Sequence, residues 1–270
     1  MSIGMKPTLK PCRIAIYPEK NENKAMLIQS EVVDLNTPTG VMRTYVHRPA
    51  HTKKVPAILF YSEIFHQTGP IERAAKMMAG QGYAVLVSEV FHELNPIGTV
   101  LGYDDAGRDK GNADKAAKDV QAYDSDNRAM IEFLKQQDWY AGSLGAMGFC
   151  IGGHLAFRAA LQPEVQATAC FYATDLHTQI IPNQLNQHSM DRLSDIKGEL
   201  LMIWGKQDNH IPTAGRMQVY QKLTDANLSF SWHEFNGQHA FMRDEGERYD
   251  PQLAMTGYQL ATQLFSNVLK

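Results

Sequence analysis

The chain has 270 residues, 44% hydrophobic and 20% charged, with a formal net charge of -3. That composition gives a globular protein ample material for a core, and it excludes a basic nucleic-acid binder and an acidic solvating tail. No apolar run is long enough to span a membrane, the first thirty residues hold no secretory apolar region, and Cys12, Cys150 and Cys170 cannot build a disulfide framework.

A reducing cytoplasm is therefore the expected location. No Cys/His spacing resembles a zinc site.

Taken in order, residues 1–30 read as an N-terminal arm and 31–270 as a single domain. Glu31–Leu35 and Val41–Arg48 alternate apolar and polar residues around a turn at Thr37-Pro38-Thr39-Gly40, which predicts a hairpin solvated on one face. Pro56–Tyr61 is continuously apolar and reads as a strand covered on both sides. A helix is expected over Ile71–Gln81, ended by Gly80 and Gly82, followed by a second buried strand at Tyr83–Ser88. A polar excursion from Phe91 to about Asp114 reads as a lid, and Lys115–Gln137 as one long helix. Further strands are expected at Ser143–Phe149, Val165–Tyr172, Glu199–Trp204 and Leu228–Phe235. A second polar excursion runs through Asp195, and helices are expected at Thr213–Thr224 and Pro251–Leu269. Apolar strands alternating with helices predict an α/β fold: a mostly parallel twisted sheet, helices on both faces, and an antiparallel hairpin at one edge.

The most informative stretch is Gly148-Phe149-Cys150-Ile151-Gly152-Gly153, where a buried strand meets a helix that continues through Leu161. Gly-x-Cys-x-Gly at such a junction has the layout of a nucleophile elbow with cysteine in place of serine. Its flanking glycines let strand and helix approach closely, and the helix start favours a thiolate. The alternative for Cys150 alone is an inert core thiol.

In a parallel sheet, functional residues gather in loops at the carboxyl ends of strands. Asp208 follows one strand and His239 the next, so the order nucleophile, acid, histidine is that of an α/β-hydrolase. His239 would hold Cys150 as thiolate and protonate the leaving group, while Asp208 would fix the imidazole. Taken singly, Asp208 could form a turn and His239 could be a solvated loop histidine. His210 competes as the histidine, although its place before a helix suits loop formation. Glu63 follows the strand ending at Tyr61, in the loop that supplies an oxyanion amide. The expected donors are the N–H groups of Ile64 and Ile151. Glu63 could salt-link Arg243, approach the thiol, or be a surface glutamate.

With these residues in place, the chain resembles the dienelactone hydrolase family of α/β-hydrolases. The resemblance rests on Ser62-Glu-Ile-Phe65, Gly148–Gly153, Gly205-Lys-Gln-Asp208 and Gly237-Gln-His-Ala-Phe241 with Arg243, and it covers about residues 30–269. It implies a cysteine-dependent hydrolase of a small-molecule ester or enol-lactone, without metal or organic cofactor. It also implies that Glu63 keeps the thiol quiet, that Arg243 helps hold a substrate carboxylate, and that Tyr172 lies near the site. Two positions depart from the family pattern: Glu93 stands where a second carboxylate-binding arginine is expected, and His66 where glycine is usual. An acid would repel an anionic substrate, so Glu93 points to a different ligand.

Neither nucleic acid nor membrane is an expected partner, and the protein is expected as a monomer or small homo-oligomer. A non-catalytic binder of small ligands on the same fold is the alternative. A thiol redox sensor at Cys150 is a further one, for which Cys170 lies a strand away.

Overall fold

A strand buried at consecutive residues has to be covered on both faces, and that requirement organises the structure. The computed structural model describes residues 27–50, 53–179 and 187–270. In it, β1 (Ile28–Thr37) and β2 (Gly40–Pro49) form the expected hairpin with Pro38 and Thr39 at its turn. β3 (Val55–Tyr61), β4 (Ala84–Ser88), β5 (Tyr140–Phe149), β6 (Val165–Phe171), β7 (Glu199–Gly205) and β8 (Phe230–Phe235) complete one eight-stranded sheet of order β1-β2-β4-β3-β5-β6-β7-β8. The pairs from β4 through β8 are parallel, whereas β2 joins β4 antiparallel. Every residue of β4 is buried, and so are the last six of β5, which puts β5 at the middle of the core.

The helices are α1 (Gly69–Gly80), α2 (Asp105–Ala117), α3 (Val120–Lys135), α4 (Ile151–Ala159), α5 (Thr213–Asp225) and α6 (Pro251–Val268). α4 begins at Cys150's neighbour, two residues before Gly153, and every residue of it is buried. Ile28–Ser30 belong to β1, so the strand starts inside the expected arm; residues 1–26 of that arm, Cys12 among them, lie outside the described residues. The second polar excursion contains two short 3₁₀ turns at Ser189–Asp191 and Leu193–Asp195, with 180–186 outside the described residues.

One stretch corrects the sequence reading. The last ten residues of the polar excursion belong to helix α2, and the long helix expected from Lys115 is two helices broken at Lys118 and Asp119. Both starts are set by aspartate caps: Asp104 accepts the Gly107 N–H at 2.8 Å and Asp119 the Gln121 N–H at 2.9 Å. α2 buries only Gly107, Gly111 and Asp114, so it has no apolar stripe for periodicity to detect. At the break, the fully buried Lys118 ammonium sits between Glu93 (2.8 Å) and Asp126 (2.7 Å), with His92 3.2 Å from Asp126.

Candidate active site

The end of β5 turns into α4 at Cys150, whose φ of +59° is a conformation that a side chain rarely adopts. The turn is enforced by close packing. A Cβ on Gly148 would collide with the carbonyl of Gly152, and one on Gly152 with the carbonyl of Tyr61. The Cys150 N–H donates to Phe171 O (3.2 Å), and Cys150 O accepts from Gly153 and Thr174 N–H. Cys150 is thus tied to β6 and the loop after it.

Asp208 and His239 follow β7 and β8 as expected, and they meet. His239 Nδ1 lies 2.6 Å from Asp208 Oδ2, and Asp208 Oδ1 accepts the His210 N–H at 2.8 Å. The Asp208 carboxylate is wholly buried. Burial alone would raise its pKa, but the hydrogen bond and charge of His239 hold it below the ordinary value. Burial alone would push the His239 imidazolium down. The charge of Cys150, hydrogen bonds to Asp208 and Cys150, and the charge of Asp208 outweigh that and raise its pKa to about 10. His239 thus sits between a sulfur and a carboxylate, both of which favour its charged form.

These groups open onto a cavity of about 700 Å³. Cys150, His239, Glu63, Ile64, Arg243 and His210 all line it. Glu63 is 3% exposed and 3.5 Å from Arg243 Nη1. Burial raises its pKa against the opposing charges of Arg243 and His239. Ile151 is the first residue of α4, so its N–H has no acceptor within the helix. The Ile64 N–H makes no backbone hydrogen bond among the described residues.

One expected residue stands elsewhere, and another borders the site from behind rather than on the cavity wall. Glu93 is not on the cavity wall: it pairs with the buried Lys118 at the break between α2 and α3, where its charge is compensated. Tyr172 is fully buried behind His239, its ring 5.0 Å from the imidazole. The residue after Phe65, His66, is buried at φ +69°, which explains why glycine suits that position.

Several lining residues were not singled out as site residues from sequence. Tyr103 stacks under Arg243 at 4.2 Å and hydrogen-bonds Thr68 at 2.7 Å. Lys115 pairs with Asp175 at 2.9 Å, and Arg248 lines the wall beside Glu247. Asp175 (φ +63°) and Ala240 (φ +64°) share with Cys150 a strained backbone at the cavity. That cluster of positive φ values has no sequence signal, because none of the three is glycine. His210 lies closer than a loop role requires: its ring centroid is 4.6 Å from that of His239. Among the described residues, no cluster of three His, Cys, Asp or Glu could hold a metal, and no helix is long and apolar enough to cross a membrane.

Comparison with known proteins agrees with the architecture. The model of the dienelactone hydrolase family matches residues 42–269. A Saccharomyces cerevisiae protein named "Putative carboxymethylenebutenolidase" is 34% identical over 258 residues, spanning 91% of this chain and 94% of its own. The carboxymethylenebutenolidase of Pseudomonas putida is 26% identical over 196 residues, 72% of this chain and 78% of its own. A crystal structure described as "Putative Dienelactone Hydrolase from Klebsiella pneumoniae" superposes with a TM-score of 0.77 at 22% identity, over 89% of this chain and 99% of that one.

Proposed function

The chain belongs to the dienelactone hydrolase family, and from that premise we propose that it is an ester or lactone hydrolase acting through Cys150, His239 and Asp208. Cys150 Sγ attacks the carbonyl carbon of a small-molecule ester or enol-lactone. A C–S bond forms and the carbonyl π electrons move to oxygen, where the N–H groups of Ile64 and Ile151 receive the charge. Collapse expels the alkoxide or enolate, which takes the His239 proton. The neutral imidazole then removes a proton from water, the hydroxide adds to the thioester, and the thiolate leaves with the carboxylic acid formed.

Asp208 keeps Nδ1 protonated, so that Nε2 faces the sulfur. Glu63 and Arg243 hold one another beside the thiol, and a substrate carboxylate would compete with Glu63 for the guanidinium. Tyr172 packs behind the imidazole and limits its rotation.

The reading is carried by one observation: the buried His239, its Nδ1 held at 2.6 Å by the buried Asp208 carboxylate, shares a cavity wall with Cys150. A pure binding protein has no use for that arrangement. The test is turnover of p-nitrophenyl acetate and a small enol-lactone by wild type and Cys150→Ala, with mass spectrometry of the intact protein. We expect an acyl adduct on Cys150 and loss of turnover in the variant. Equal turnover by both proteins would refute Cys150 as the nucleophile.

A further inference from the structure

Glycine is among the poorest helix formers, so a glycine in a helix interior calls for a packing reason. α2 has Gly111 at its centre, and it is buried. A Cβ on Gly111 would stand 2.6 Å from the carbonyl oxygen of Ile64 and 2.8 Å from Ile64 Cβ. The helix backbone therefore lies directly on the residue whose amide the reaction above uses.

Both partners in this contact are held from behind. The first turn of α2 is capped by Asp104, and Gly107 packs on the carbonyl of Gly102. One turn past its start and again at Asp114 it is tied down: Asp114 pairs with Lys110 and accepts from Asn95 Nδ2 at 2.9 Å, which links the helix to the loop after β4. Near its end, Lys115 pairs with Asp175, which also lines the cavity. The Ile64 segment is closed by the His66 N–H on Glu63 O (3.3 Å) and by the bridge between His66 and Val100. Neither side can retreat freely.

We infer that α2 acts as a rest for the oxyanion loop and that Gly111 is a positioning residue for the Ile64 amide. The inference depends on Ile64 being an oxyanion donor, as in the mechanism proposed above. Ordinary contact begins near 3.4 Å, so an alanine at 111 forces a displacement of about 0.8 Å (3.4 less 2.6). A misplacement of about 1 Å costs roughly 100-fold, and losing one donor outright costs about 100- to 1,000-fold in kcat.

The experiment compares Gly111→Ala with Asp109→Ala, an exposed control on the same helix. It measures kcat and KM on p-nitrophenyl acetate alongside the rate at which iodoacetamide alkylates Cys150. Alkylation at a saturated carbon creates no oxyanion, so it is blind to the Ile64 amide. For Gly111→Ala we expect kcat to fall about 10- to 100-fold, with KM within about threefold and alkylation within about twofold of wild type. Asp109→Ala should match wild type throughout. If Gly111→Ala does not fold, Lys115→Met cuts the tie to Asp175 without adding bulk at the contact. It should show the same split, with a smaller loss of about 3- to 10-fold. Unchanged kcat in the folded variant, or a kcat loss matched by an equal loss of alkylation, would overturn the inference. If Cys150→Ala is inactive while Gly111→Ala equals wild type, only this inference fails. If Cys150→Ala turns over normally, the mechanism itself fails first.

Discussion

Asp208 uses both of its oxygens, and an amide can replace only one of them well. In Asp208→Asn, turning the amide oxygen toward His239 Nδ1 leaves the NH₂ group facing the His210 N–H, donor against donor, at about 2.8 Å. The other orientation satisfies His210 but presents a donor to Nδ1, forcing the neutral imidazole's proton onto Nε2, where it blocks acceptance from water. An unsatisfied buried donor costs about 1–3 kcal/mol, so the wrong tautomer is favoured by about 5- to 150-fold. Losing the charge on the hydrogen bond removes about 1.5–3 kcal/mol more from the imidazolium that forms. Together these give a fall in kcat of about 10²- to 10⁴-fold. Single-turnover kinetics on p-nitrophenyl acetate would measure it. The pH profile of Cys150 alkylation by iodoacetamide should move as well, because Asp208 helps keep His239 protonated up to about pH 10. Expected is slower alkylation near neutrality. A folded variant with kcat within about threefold of wild type would show that Asp208 does not serve His239, and the three-residue reading would be wrong.

Two further outcomes concern stability. His154 is buried, bonds Thr174 O (3.0 Å) and Ser189 Oγ (2.9 Å), and burial above all lowers its pKa to about 4. Since the unfolded histidine takes up a proton near pH 6.5 and the folded one does not, its contribution is fully present above pH 6.5 and lost as pH falls toward 4. The slope reaches about 1.4 kcal/mol per pH unit. Urea midpoints from pH 7 to 4 should show a shallower decline in His154→Gln; parallel curves would remove His154 as the cause. Lys118→Met leaves Glu93 and Asp126 buried without their cation, and should cost about 3–5 kcal/mol in denaturant unfolding. A loss under about 1 kcal/mol would mean that water or His92 compensates the two acids.

The succession of strands along the chain and the gathering of Cys150, Asp208 and His239 were legible because they follow from local rules. Apolar runs mark buried strands, and the residue after each such run must reach the same edge of the sheet. Glu63 and Arg243 could be paired for a similar reason, one after β3 and the other after β8. What stayed hidden depends on contacts between polar elements. α2 is almost wholly polar and interrupted by two glycines, so its helicity is set by Asp104 and by the surface it rests on. Glu93 stands where a substrate-binding arginine is expected, yet Lys118, twenty-five positions later, holds it away from the cavity wall. Tyr172 does adjoin the site, but from behind, its buried ring against His239 rather than on the cavity wall.

The same topology sets a timetable for synthesis. The elbow cysteine is translated about ninety residues before His239, and β7 and β8 must be made before the histidine can be placed. At about 5–20 residues per second, the emerging chain carries Cys150 for several seconds with no base beside it. The reactive sulfur is therefore armed by completion of the far edge of the sheet, so a truncated or stalled chain has the nucleophile without its activation.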